Sequence, residues 1–183
     1  MATNLASHRQ EITRLVNQYF DKEDYPAAID LLQKEIEQTP DEHWLYAQLA
    51  ISYYELRDYK TAMQFSEKAV NLSPDCPLAL DYHASILLAN GKTKEALLIW
   101  SNLLDKNIDD IAHGDCGEGV RFAKSLLNDI RFSVGDAYVE MKNKEKALWY
   151  YKSHLANRQK GVFSNFKKRD VLKEIKRVEK EVG

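Results

Sequence analysis

The chain has 183 residues, few glycines and prolines (7 and 4), 44% hydrophobic residues and 10 tyrosines. That composition supplies a continuous core and favours helices over a turn-rich β architecture. No apolar run approaches a membrane span, and the segment MATNLASHRQEITRL carries no apolar core of a secretory signal, so the expected location is cytoplasmic. The net charge of -2 hides a split: residues 1–141 hold 13 Lys+Arg against 23 Asp+Glu, and residues 142–183 hold 13 against 5. An acidic body thus precedes a basic tail.

From the first third onward the chain repeats itself. Ala28, Ala62 and Ala96 stand 34 residues apart, and Tyr19, Tyr53 and Leu87 keep the same step, as do Leu15 and Leu49, Pro40 and Pro74, and the pairs Asp24-Tyr25 and Asp58-Tyr59. Within each period, apolar residues recur at helical spacing on either side of a short polar break, which predicts a first helix, a turn and a second helix. The alanine early in each second helix lets two antiparallel helices approach closely. The prolines in Thr39-Pro40-Asp41 and Ser73-Pro74-Asp75 end each second helix, because proline lacks an N–H and disfavours helical geometry before it.

These positions resemble the tetratricopeptide-repeat family. Repeats are expected at about 9–42, 43–76 and 77–110; the second keeps most of the pattern, with Tyr46, Leu49, Ala50, Tyr53, Ala62, Ala69 and Pro74. In the third, His83 and Ile108 replace the family's Leu and Pro, while Gly91, Ala96 and Trp100 are kept. A fourth unit at 128–161 carries Val134, Gly135, Tyr138, Ala147 and Tyr151, but out of step. The excess is an insert at 111–127, whose stripe of Ala123, Leu126, Leu127, Ile130 and Val134 predicts one long helix from near Gly119 to about Met141. A final amphipathic helix, about 164–182, with Val171, Leu172, Ile175, Val178 and Val182 on one face, is expected to cap the last repeat. The resemblance therefore implies an all-α, right-handed superhelical solenoid of antiparallel helix pairs, forming a single domain over 1–183.

Family members bind peptides along the faces of their first helices. Carried over by register, the groove residues are Asn17 and Phe20 in repeat one, Trp44, Ala47, Ile51 and Tyr54 in repeat two, Asp81, Ser85 and Leu88 in repeat three, and Phe132 and Asp136 in repeat four. Apolar anchors mixed with acids suit a basic, amphipathic helix or an extended peptide. Some relatives clamp a partner's C-terminal carboxylate with two Lys, two Asn and an Arg. Here Thr13, Asn17, Gln48, Leu78 and Tyr82 occupy those positions, so only Asn17 matches and that mode is disfavoured.

The expected function is a protein-interaction scaffold or adaptor. A chaperone-like holder of an unfolded client and a homo-oligomeric module are the alternatives. No GxSxG, HExxH or paired-carboxylate motif appears, and no enzyme activity, cofactor or metal is expected. The stretch His113-Gly114-Asp115-Cys116-Gly117-Glu118-Gly119 concentrates potential ligands, but it lacks a zinc spacing and a phosphate-loop ending, and reads as a turn before a helix. Cys76 and Cys116, forty residues apart with no CxxC, read as two reduced thiols. The basic end reads as a solvated face, and nucleic acid is a lesser reading for it.

Overall fold

The computed structural model describes residues 2–180, so the expected Val182 lies outside the described residues. The described residues form ten helices and no strand. They divide into two compact units, Met1–Pro74 and Asp75–Gly183, with the boundary at the proline that ends the second repeat.

Unit 1 holds α1 (Ala2–Asp21), α2 (Tyr25–Gln38), α3 (His43–Glu55) and α4 (Tyr59–Leu72), each helix packed on its sequence neighbour. Its core joins Ile12 and Val16 of α1, Ile29 and Leu32 of α2, and Leu45 and Leu49 of α3. Tyr53 stacks on Phe65 with ring centroids 5.5 Å apart, fastening α3 to α4. The register alanines Ala28 and Ala62 are completely buried, as close helix approach requires.

Unit 2 holds α5 (Pro77–Ala89), α6 (Thr93–Asp105), a short α7 (Ile108–His113), α8 (Val120–Glu140), α9 (Lys144–Gln159) and α10 (Lys168–Lys180). The pairs α5/α6 and α8/α9 repeat the hairpin of unit 1, and Ala96 and Ala147 are again completely buried. The long helix α8 runs 21 residues as the sequence predicted, about 32 Å at 1.5 Å per residue. Its first half buries Ala123, Leu126 and Leu127, and the helix packs on α6 and α7 as well as on α9. The insert does more than lengthen α8: Ile108–His113 forms a turn and a half of helix that buries Ile111 and Ala112.

All four hairpins share one turn. The chain reaches positive φ at Glu23, Arg57, Gly91 and Lys142, and the next residue's N–H returns to a carbonyl five residues back: Asp24 to Tyr19, Asp58 to Tyr53, Lys92 to Leu87 and Asn143 to Tyr138, at 2.8–2.9 Å. These bonds satisfy carbonyls that the end of a helix would otherwise leave open. In three of the four turns that same residue caps the following helix: the side chains of Asp24, Asp58 and Asn143 accept from the N–H of Ala27, Thr61 and Lys146. The register of Tyr19, Tyr53 and Leu87 is thus the register of the turn.

The last helix caps unit 2. Val171, Ile175 and Val178 of α10 join Ala147 and Tyr151 of α9 and Phe132 of α8 in one cluster. Two details differ from expectation. Leu172 is 38% exposed, because the buried stripe follows 171, 175 and 178 and leaves it to one side. Helix α10 also starts at Lys168 rather than near 164, because Ser164 is drawn into the core, where its hydroxyl lies 3.3 Å from His154 Nε2.

Candidate protein-binding faces

In unit 1, α3 is apolar on two sides. Leu45, Leu49 and Tyr53 face the core, while Trp44, Ala47, Ile51 and Tyr54 follow one another at steps of three and four along the other side. Ala47 is buried; Trp44, Ile51 and Tyr54 are half-buried. The Arg9 guanidinium sits 5.1 Å from the Trp44 ring centre, a cation–π contact between α1 and α3. On α1, Asn17 is exposed, and Phe20 meets Tyr25 edge-on at 5.3 Å. Phe20 and Trp44 also lean on the core, so part of each ring is spoken for.

One end of this face is acidic. Desolvation by surrounding side chains and the charge of Glu23 both hold the Glu55 carboxyl above its ordinary range. Partial burial, with Glu55 and Glu23 adding to it, raises the Tyr25 hydroxyl in the same way. A carboxylate whose charge is disfavoured in this way makes a place where a cation would be stabilised.

In unit 2, the expected face of α5 carries Asp81, Ser85 and Leu88, all half-buried. Asp81 turns its carboxylate inward, accepting from Nε1 of the fully buried Trp100 at 2.7 Å. Burial, reinforced by Asp129, lifts Asp81 to about 7, against the opposing Trp100 bond.

Across α8 the picture changes. Phe132 is only 7% exposed, packed against Phe166 with ring centroids 4.1 Å apart and planes tilted by 31°, and flanked by Tyr151 and His154. Asp136 accepts from the Tyr151 hydroxyl at 2.5 Å, and burial pushes it up to about 6 despite that bond. The neighbouring Asp129 accepts from both the backbone N–H and the side-chain amide of Asn165. The segment between α9 and α10 therefore lies on the fourth repeat's first helix, against Phe132, while Asp136 is engaged by Tyr151 of α9.

A buried polar network behind this contact went unforeseen. His154 Nδ1 lies 3.0 Å from the Asn128 carbonyl oxygen, its Nε2 faces Ser164, and Asn157 donates to the Asn128 side chain. Burial lowers the His154 pKa, favouring the neutral ring. Only the position of His154, seven residues after Ala147 on the packed side of α9, could have signalled this role. In the insert, His113, Asp115 and Glu118 all face solvent.

A family model described as Tetratricopeptide repeat matches residues 45–76. A search of curated sequences finds no match. Among solved structures, BtubC (BKLC) from P. vanneervenii superposes with a TM-score of 0.67 at 17% identity, covering 100% of this chain and 79% of that one. MamA protein gives 0.56 at 15% identity, covering 82% and 73% of the two chains. The thermophilic protein TTC0263 of Thermus thermophilus gives 0.52 at 16%, covering 92% and 97%. At such identities the likeness is one of fold. Residues 45–76 are thus a tetratricopeptide repeat, and the recurrent hairpin turn and the buried alanines carry the same helix-pair architecture into the other hairpins; proteins built of this repeat generally act as scaffolds for protein–protein contacts.

Proposed function

We propose that this chain is a cytoplasmic, non-catalytic adaptor that holds a peptide or helix of a partner protein against the second apolar side of α3 in unit 1. The observation that carries the reading is the Trp44–Ala47–Ile51–Tyr54 stripe: a helix apolar on two sides has more apolar surface than its own core uses. The stacked helices hold the stripe before any ligand arrives, so a partner bears most of the ordering cost. Ile51 and Tyr54 would take apolar anchors. The acidic end at Glu23 and Glu55 would take a Lys or Arg of the partner, whose charge would relieve the cost of ionising Glu55. In unit 2, Ser85 and Leu88 of α5 remain accessible in part, whereas Phe132 packs in the cluster with α10 and Asp136 is bonded to Tyr151 of α9.

Selection from a displayed library of random short peptides tests this reading. Peptides that bind the wild-type protein should share an aromatic or aliphatic anchor and a basic residue. Their affinity should fall about tenfold or more, 1.4 kcal/mol, in each of Ile51→Asp and Glu55→Lys, with helical circular dichroism retained. Selected peptides that are acidic, or that bind both variants as tightly as wild type, would remove this face from consideration.

A further inference from the structure

Cys76 and Cys116 lie forty residues apart in sequence, with nothing in their spacing to connect them, yet unit 2 brings their sulfurs within 4.8 Å of one another. Each arrives by a different route. Cys76 stands immediately before α5, where its carbonyl accepts the Leu80 N–H and its side chain is buried. Cys116 sits in the tight loop between α7 and α8. That loop is drawn closed by two backbone bonds, Gly117 N–H to the Gly114 carbonyl and Gly119 N–H to the Ala112 carbonyl. Gly117 allows the closure, because a Cβ there would come 2.5 Å from the Ala112 carbonyl carbon. The loop is therefore held in place by its own backbone, and it holds Cys116 half-buried beside Cys76.

We propose that Cys76 and Cys116 are a reversible disulfide site, oxidised by small-molecule disulfides, that ties the start of α5 to the loop leading into α8. The sulfurs need to close to about 2.05 Å, a movement of the order that a χ1 rotation at one cysteine supplies. The half-buried Cys116 is reached first. Its thiolate attacks one sulfur of the small disulfide, forming a mixed disulfide and releasing one thiol. Cys76 then loses its proton to solvent and attacks the Cys116 sulfur, expelling the second thiol. One S–S bond is formed and one is reduced to two thiols, so electrons balance without a further reactant.

The order follows from burial. Desolvation pushes the Cys76 thiol up to about 12, with Cys116 adding to the shift and the N–H groups of Ala79 and Leu78 opposing it. Cys76 is thus a poor first nucleophile and a sheltered second one. The bond would close a circuit through α5, α6 and α7, and so restrain the insert, a connection in unit 2 that departs from the repeat.

The full chain, incubated with oxidised glutathione and then alkylated, gives the test. The expected result is a monomer whose titratable thiols drop from two to none and whose mass is lower by two hydrogens. A single peptide pair should join Cys76 to Cys116, and dithiothreitol should reverse it. Cys116→Ser should block the bond and leave Cys76 slow to alkylate; Cys76→Ser should stop at a glutathione adduct on Cys116. Amide exchange across 114–119 should slow in the oxidised protein. The proposal is overturned if both thiols stay titratable at an oxidant level that links a Cys-Xaa-Xaa-Cys control peptide. It is equally overturned if the bonds formed join two molecules, or if wild type stops at the mixed disulfide.

Discussion

Gly135 of α8 faces the ring of Tyr151 of α9 so closely that a Cβ on the glycine would stand 2.5 Å from Tyr151 Cδ1. Real atoms do not approach so near, so any side chain at 135 forces α8 and α9 apart or turns the ring. The ring is not free to turn: it is completely buried, and its hydroxyl is committed to Asp136. Gly135→Ala should therefore destabilise the protein by about 1–2 kcal/mol: against a ring that cannot yield, the overpacking cost lies at the upper end of its range, about 2–3 kcal/mol, less the roughly 1 kcal/mol that Ala gains over Gly in a helix. Urea denaturation measures it. Truncating the ring in Gly135→Ala/Tyr151→Leu should shrink the effect of the alanine, because the two residues are directly coupled.

The shared hairpin turn gives a second expectation. Three of its four left-handed positions carry a side chain: Glu23 at φ 57°, Arg57 at 61° and Lys142 at 57°; only Gly91 is a glycine. A Cβ in that region costs energy that glycine avoids. Lys142→Gly should stabilise by about 0.5–1 kcal/mol, and Gly91→Ala should cost a similar amount, although no atom lies within 4 Å of the added methyl. Paired denaturation midpoints check both. If Gly91→Ala were neutral, the turn would be exerting no demand on φ.

These two cases also mark what could be read from the sequence. Ala28, Ala62, Ala96 and Ala147 announced the close helix pairs directly, because only a small residue is tolerated there, and all four are completely buried. The long α8 was legible from its unbroken stripe between Gly119 and Met141. The placement of the residues expected to meet a ligand was less so. Register puts Phe132 and Asp136 on the side of α8 that repeats use for ligands, but register carries no information about a neighbour lying on that side. The contact of Asn165 with Asp129 and of Phe166 with Phe132 depends on a chain reversal after Gly161, which no periodicity encodes. The proximity of Cys76 and Cys116 is hidden for the same reason, since it arises from a non-repeating loop.

Asp81 predicts a pH dependence. Its carboxyl titrates near 7 in the folded protein against an ordinary value near 4, so the folded state holds the proton more tightly than the unfolded one. The associated stability is fully present below about pH 4 and is lost as pH rises through 7. Undamped, the shift would amount to about 4 kcal/mol at 1.4 kcal/mol per unit; relaxation and water access make about 2 kcal/mol the working figure. Asp81→Asn keeps an oxygen to accept from Trp100 but cannot ionise. The variant should match wild type near pH 4 and exceed it by about that amount at pH 8. Equal pH profiles for the two proteins would place the Asp81 carboxylate in contact with water.

The fourth expectation concerns the hairpin turn that lacks a cap. Asp24 and Asp58 each cap the helix that follows, and 34 residues beyond Asp58 the same position is Lys92, whose side chain offers no acceptor to α6. The Asp58 pKa is held below its ordinary value by its bonds to Thr61, which is the signature of a working carboxylate cap. Lys92→Asp should install the same bond and add a favourable charge at the start of α6, giving about 0.5–1.5 kcal/mol. It gives up only the loose, exposed pairing of Lys92 with Glu95 at 3.9 Å, a contact of the kind that contributes little. The converse, Asp58→Ala, should lower the stability of unit 1, a loss that disappears as pH falls below the carboxyl's own titration. Thermal midpoints at pH 7 and pH 3 separate cap from context: the gain from Lys92→Asp should fade at pH 3, whereas a gain that persisted there would come from removing the lysine rather than from capping.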